Sequence, residues 1–522
     1  MSRQKKELYR RKLDELLSRA DDAAFLIMCW ATRTLQTGNV RAAAKHLEFP
    51  EEAANSDLTN RLAIYPWLIE TLANELLVVP KETPRLRTKT KTLNCRAFSA
   101  MGRARNLVNE LENAEDGIAR RNVGILYELH RLSQRQFEWQ RGFLSFQQLY
   151  RSGFLYGGPL TTAYFQAKNG FSLSEYSHAC FALRAAFNER PNVRLDFDFT
   201  GVSIPSELSV AVIKHISCTH QDARREAARI RTVPGQTAYK PSILRSTPLI
   251  VFGEAAVCPL PELISLRAAG GVFYDVIDGP DPVKNEIAAR FETYCVDFLR
   301  AVLPSSQISP SFKYKQGKRH FDTPDVLISR RGGMAVVLEC KARRMSFSAR
   351  FGDDPISAAA RGYDEMAKGA FQIWRYVSHR RRGILPPVEF ASDVRGIVVT
   401  LDTWLSMGGP IIDEVLSRAK SIARESDPEI TDADQIAVRF CHIDDLEKTF
   451  ASATEDSFFE AVVRGTDDEH RGWMLERVHN KLHPELPEAR PYPFTDRIPD
   501  VVGDWWAVMV AHAHRETPPS SH

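Results

Sequence analysis

The sequence predicts a multidomain α+β or α/β protein, with a mainly helical N-terminal region followed by a mixed β-sheet core flanked by helices. Three observations lead there. The 522 residues exceed what one ordinary core organises, so two or three domains are expected. Apolar residues recur at helical spacing through the first part of the chain, as in Leu8, Leu13, Leu16 and Leu17. After a proline-bearing, polar interruption at residues 231–246, short β-branched runs alternate with amphipathic helices.

The expected elements follow in order. Residues 23–35, 120–146 and 172–187 read as amphipathic helices, and the prolines and basic residues of 80–91 mark an exposed loop. Beyond the interruption, 248–252 is a short strand and 282–302 a long helix. Three strand-forming runs follow at 325–329, 334–340 and 396–401, with a helix centred on 370–377 between the last two. This divides the chain into a helical region (1–245) for target sensing or oligomerisation, a sheet domain (246–415), and an acidic helical extension (416–522) whose tail, 517–522, is expected to be disordered.

Composition narrows the classes of function. A hydrophobic share of 43% with 26% charged residues is that of a soluble globular protein. No apolar run approaches the roughly 20 residues of a membrane helix, and the charged N-terminus does not read as a signal peptide. A cytoplasmic protein with no membrane partner is the expectation. Eight cysteines without a CxxC pair read as reduced thiols, and Cys218-Thr219-His220 alone does not make a zinc site. P-loop, HExxH, GxSxG and dinucleotide-binding patterns are missing. Charge is unevenly spread: residues 311–350 carry ten Lys/Arg against three Asp/Glu, whereas 421–500 carry an excess of acids. A basic middle suits a polyanionic partner.

The chemistry concentrates in 321–344, FDTPDVLISRRGGMAVVLECKARR. Two strand-forming runs flank Arg331-Gly332-Gly333, a tight hairpin turn. Alternation along a strand puts Glu339 and Lys341 on one face. Asp325 lies about as far from the turn as Glu339, so the hairpin gathers two carboxylates and an ammonium at one end. A turn one residue longer would shift that register. Two carboxylates suit Mg²⁺, with the Cys340 main-chain carbonyl as a further ligand and its thiol in the core. Lysine suits orienting a water or stabilising developing charge. Asp322 is a further candidate ligand.

Pro324-Asp325, followed fourteen residues later by Glu339-Cys340-Lys341, resembles the signature of the PD-(D/E)XK nuclease superfamily. The resemblance covers residues 282–401. It implies a restriction-endonuclease-like core with Asp325, Glu339 and Lys341 at the cutting site, and Mg²⁺, with Mn²⁺ as a substitute, held by Asp325, Glu339 and Cys340. The family's preceding helix often supplies another acid, and Glu292 sits on the edge of the apolar stripe Ile287, Phe291, Cys295, Phe298, Val302, whereas Glu286 points away. Gln372 and Tyr376 fit the Gln-x-x-x-Tyr pattern of the branch similar to the RecB nuclease domain, and share a helix face. Lys313, Lys315, Lys318 and Arg319 are expected phosphate contacts. Arg343 and Arg344, in a segment longer than the minimal fold needs, are expected to meet the strand being cut.

The expected activity is Mg²⁺-dependent phosphodiester hydrolysis by a DNA endonuclease, in bacterial anti-phage defence or restriction, acting as a homodimer or higher homo-oligomer. Two alternatives stay open: a non-catalytic nucleic-acid-binding or scaffold protein of the same fold, and a helical interaction protein in which the hairpin is incidental.

Overall fold

The computed structural model describes residues 2–57, 59–81, 92–119, 125–346, 350–352, 355–405, 409–485 and 489–507. Most of the loop expected at 80–91, and the whole 517–522 tail, lie outside the described residues. The fold is mixed α and β, and no helix among the described residues is long and apolar enough to cross a membrane.

The N-terminal helices form as their sequences dictate. Asp21 caps Asp22–Gln36 by accepting from the amide of Ala24 at 2.8 Å, and Pro66 occupies the first turn of Pro66–Val78, where its missing N–H costs nothing. Leu13, Leu16 and Leu17 of Ser2–Ser18 point into a core shared with Phe25, Leu72 and Leu76.

The sheet domain builds on five strands: β1 (Gln307–Pro310), β2 (Val326–Arg330), β3 (Gly333–Lys341), β4 (Phe390–Thr400) and β5 (Val438–His442). Their spatial order is β5-β4-β3-β2-β1. The β1/β2 and β2/β3 pairs are antiparallel, and β3/β4 and β4/β5 are parallel. Helices α1 (Asp281–Val302), α2 (Ala360–Arg381) and α3 (Gly409–Ser426) flank it. Side-chain alternation divides the strands between two cores. Ile328, Val336, Leu338 and Cys340 pack with Phe291, Cys295 and Leu299 of α1. Leu327 and Val337 pack with Tyr363, Ala370 and Ile373 of α2. Glu339 and Lys341, in phase with Val337, therefore emerge on the α2 face.

The packing corrects the expected domain limits. No break falls at 245: Ile243 and Leu244 are buried with the N-terminal helices, and Arg245 pairs with Glu70 and Glu138. Proline and polar residues turn the chain there, but the apolar side chains between them still find a core. The helices Phe146–Tyr156 and Leu173–Glu189 belong with α1 and the five-stranded sheet instead. A four-stranded sheet of Asn192–Arg194, Ala255–Val257, Leu249–Phe252 and Ser217–Thr219 forms the wall between the cores. Leu249 and Ala256 face one side, and Ile250 and Val257 the other. The C-terminal limit moves as well, because β5, from the acidic extension, is the sheet's edge strand beside β4.

Two consequences for stability follow. The α2 helix approaches Trp404 at Gly362, where a methyl group would overlap the buried indole ring. Gly362→Ala is expected to lower stability by about 1–3 kcal/mol through overpacking, read as a drop in Tm. His442, at the end of β5, is 5% exposed, and burial followed by the charge of Arg141 lowers its pKa from 6.5 to about 4. The unfolded chain therefore binds a proton that the folded one refuses, and stability is lost as pH falls from about 6.5 toward 4, by about 3 kcal/mol at most. Tm measured across that window should fall less steeply in His442→Gln than in the parent.

Candidate metal and nuclease site

The hairpin geometry decides which side chains meet. Arg331 (φ 50°) and Gly332 (φ 85°) form a two-residue turn with both residues left-handed, and Arg330 faces Gly333. Continued unbroken, that register would set Asp325 opposite Leu338. Between Ile328 and Ser329 the pairing slips by one, leaving Ala335 as an extra residue, so that Val326 faces Leu338. The next position along sets Asp325 opposite Glu339. A single bulged residue is what brings the two acids level.

At this end of the hairpin Asp325 Oδ2 accepts from the Cys340 amide at 2.7 Å. Donor and acceptor of one strand residue point the same way, so the Cys340 carbonyl also faces the Asp325 edge. Its thiol lies in the core beside Cys295 of α1, and burial pushes its pKa well up. Lys341 Nζ donates to Glu339 Oε1 at 2.7 Å and to Gln372 Oε1 at 2.9 Å. The other Glu339 oxygen, Oε2, is buried and has no hydrogen-bond partner among the described residues.

Charge is crowded here. Burial, then Glu339, then Glu292 push the Asp325 carboxyl up to about 8. Burial raises Glu339 as well, against the lowering effect of Lys341. Burial acts to lower Lys341, but Glu339 and Asp325 outweigh it and the ammonium is held charged. Half-buried Glu292 on α1 is raised by burial and by Glu339, which places it within reach of the site. Glu286, six residues earlier, instead caps the helix Pro159–Asn169 through the amides of Leu160 and Thr161.

The remaining expected residues divide. Gln372 joins the site through Lys341, but Tyr376 does not. The α2 helix runs back along the sheet, so the four residues after Gln372 carry Tyr376 about 6 Å further along it. Its ring is 1% exposed in the apolar core and lies 6.4 Å from that of Phe390, which pairs with Met334 near the turn. Lys313, Lys315, Lys318 and Arg319 stand exposed on a two-stranded ribbon, Lys313–Gln316 with Arg319–Asp322. The ribbon's base is tied to the site, since the Ser311 amide donates to the Asp325 carbonyl at 3.0 Å. Its inner face docks on α2 through Tyr314, whose hydroxyl lies 2.8 Å from His379 Nδ1. Arg343 is exposed, but Arg344 turns inward and donates to the Gly270 carbonyl at 2.7 Å, away from the acids. The expectation of Arg344 as a contact to the strand being cut is corrected on that ground.

Arg375 was not among the residues singled out from the sequence. Its guanidinium lies over Phe321 of the ribbon (5.1 Å) and Phe371 (5.4 Å), and its charge reaches Glu339. The signal was present: position 375 is three residues beyond Gln372 and shares its face.

The donor set fits a small hard cation. It offers two carboxylates and a carbonyl, an orphaned carboxylate oxygen, and a like-charge repulsion that a cation would relieve. Among the described residues no group of three or more His, Cys, Asp or Glu side chains is arranged to hold a metal, so Glu292 does not complete a three-acid cage. No family model matches the chain, nor does any curated protein or solved structure.

Proposed function

We propose that the protein is a metal-dependent nuclease of the PD-(D/E)XK type, acting on DNA. One observation carries the reading: Asp325, Glu339 and Lys341 converge at the open end of the β2–β3 hairpin, with one Glu339 oxygen buried and without a hydrogen-bond partner among the described residues. The order helix, hairpin, helix, strand and the mixed sheet support it.

Asp325 and Glu339, with the Cys340 carbonyl, would hold Mg²⁺ or Mn²⁺. Such an ion supplies charge neutralisation at the scissile phosphate and a more acidic water. Gln372 and Glu339 fix the Lys341 ammonium, which is then poised to orient the attacking water or meet developing negative charge. Arg375 presents a fork to a phosphate between the ribbon and the acids. A double-strand break calls for two such sites, which a homodimer or higher homo-oligomer would supply.

Plasmid and single-stranded DNA incubated with Mg²⁺, Mn²⁺ or EDTA test the proposal. Cleavage that needs the metal and is lost in Lys341→Ala is expected. No metal-dependent cleavage of any substrate, or full activity in Lys341→Ala, would overturn it. The ribbon makes a separate prediction. Replacing Lys313, Lys315, Lys318 and Arg319 together by glutamine should weaken DNA binding and flatten its dependence on salt, by roughly one phosphate contact per cation. A salt slope equal to the parent's would remove the ribbon from the interface.

A further inference from the structure

A cavity of about 270 Å³ lies away from the acids, between the N-terminal helices and the segment that leaves β3. Six cationic side chains line it: Arg135, Lys240, Arg245, Arg267, Arg344 and Arg350. Against them the lining offers two carboxylates, Glu70 and Glu138, and Arg245 engages both. Acids behind the wall take up more of the charge: Glu112 pairs with Arg135, Asp275 with Arg267 and Asp402 with Arg350, which also pairs with Glu138. Arg344 makes no carboxylate pair among the described residues; its guanidinium donates to the Gly270 carbonyl. The Nε atoms of Arg267, Arg344 and Arg350 are buried and have no hydrogen-bond partner among the described residues. Arg267 is 6% and Arg350 9% exposed.

A guanidinium turned inward with no carboxylate partner among the described residues is costly unless something anionic shares its donors, and Arg344 is in that position beside the partly satisfied Arg267 and Arg350. The lining also carries three aromatic residues among small, polar and aliphatic ones. Trp67 forms part of the wall, stacked at 4.6 Å on Tyr65, Phe351 a second part, and Tyr274, 50% exposed, stands at the mouth. Guanidinium forks match phosphate oxygens, and aromatic faces match a planar base. The volume is near the low end of small-molecule sites and suits a single nucleotide.

We propose that this cavity binds one nucleotide through its phosphate at Arg344, Arg350 and Arg267, with the base against Trp67 and Tyr274. The site is separate from Asp325 and Glu339 and stands whether or not those residues cut nucleic acid. Arg344 follows Lys341 by three residues, so the ligand holds the segment that leaves the acidic hairpin. The nucleotide is either free or the terminal residue of a strand, and both offer the same chemistry.

Calorimetric titration of the full chain in EDTA distinguishes these. The probes are AMP, CMP, GMP and UMP, adenosine, inorganic phosphate, and a 5′-phosphorylated tetradeoxynucleotide. Saturable one-to-one binding of at least one nucleotide is expected, at least tenfold tighter than adenosine or phosphate. A preference for a mononucleotide assigns the site to a free ligand, and a preference for the tetranucleotide assigns it to a strand end. Arg344→Gln should weaken binding at least tenfold, and Tyr274→Ala, at the exposed mouth, gives a second variant whose folding is not at risk. No nucleotide binding at millimolar concentration, phosphate binding as tightly as the nucleotides, or undiminished binding in Tyr274→Ala and folded Arg344→Gln would overturn the proposal.

Discussion

Asp325→Asn is expected to abolish cleavage while leaving the metal-free protein at least as stable as the parent. The loss should be on the order of a thousandfold or more, because the carboxylate is one of two that would hold the metal. Crowding of like charges sets the stability effect. Without a cation, half-buried Asp325 feels the charges of Glu339 and Glu292, and burial and those charges push its carboxyl up to about 8. Folding therefore takes up a proton near neutral pH, and this group contributes stability that is present at low pH and lost as pH rises through 8. Asparagine removes that cost and can still accept from the Cys340 amide through its carbonyl oxygen. In EDTA at pH 8 the variant should melt at or a few degrees above the parent, and near pH 4 the difference should vanish. Added Mg²⁺ should raise the Tm of the parent alone. A structural carboxylate would behave in the opposite way, with its removal costing stability under all these conditions.

The second large effect concerns the architecture. Arg151, in the helix Phe146–Tyr156, is 6% exposed and pairs with Asp444 and Glu447. Glu447 also accepts from the hydroxyl of Tyr294 on α1, which lies 2.8 Å from that of Tyr492. One guanidinium thus ties a helix from the first third of the chain to α1 and the C-terminal region. Arg151→Ala would strand two carboxylates in the interior, and a loss of about 3–5 kcal/mol is expected from urea unfolding. If that helix belonged to a separate N-terminal unit, the cost would be small. The exposed Arg194–Asp196 pair is the internal control, and Arg194→Ala should leave the unfolding curve unchanged.

These two cases mark how far the chain could be read in advance. The hairpin was legible because its signals are local: β-branched runs, a glycine-bearing turn, and a period of two that sets Glu339 beside Lys341. The long helix before it and the α2 helix after it were legible from their apolar stripes. What was not legible depends on distant partners. The bulge at Ala335 has no sequence mark, although it decides that Asp325 meets Glu339 rather than Leu338. Tyr376 shares a helix face with Gln372, but the direction in which α2 crosses the sheet sends it to the core. Residues 231–246 look like a linker by composition, and only the N-terminal helices supply the surface that buries Ile243 and Leu244. The strand β5 was obscured by the acidic residues around Val438–His442, since charge balance over a long window says nothing about five residues.

Plasmid nicking followed across a Mn²⁺ titration, in the parent and in Asp325→Asn and Glu339→Gln, decides whether Asp325 and Glu339 hold a catalytic metal. Saturable, metal-dependent nicking is expected in the parent and none in either variant, with all three proteins folded by circular dichroism. Nicking by either folded variant at the parent's rate, or a parent whose nicking is unaffected by EDTA, would contradict that role.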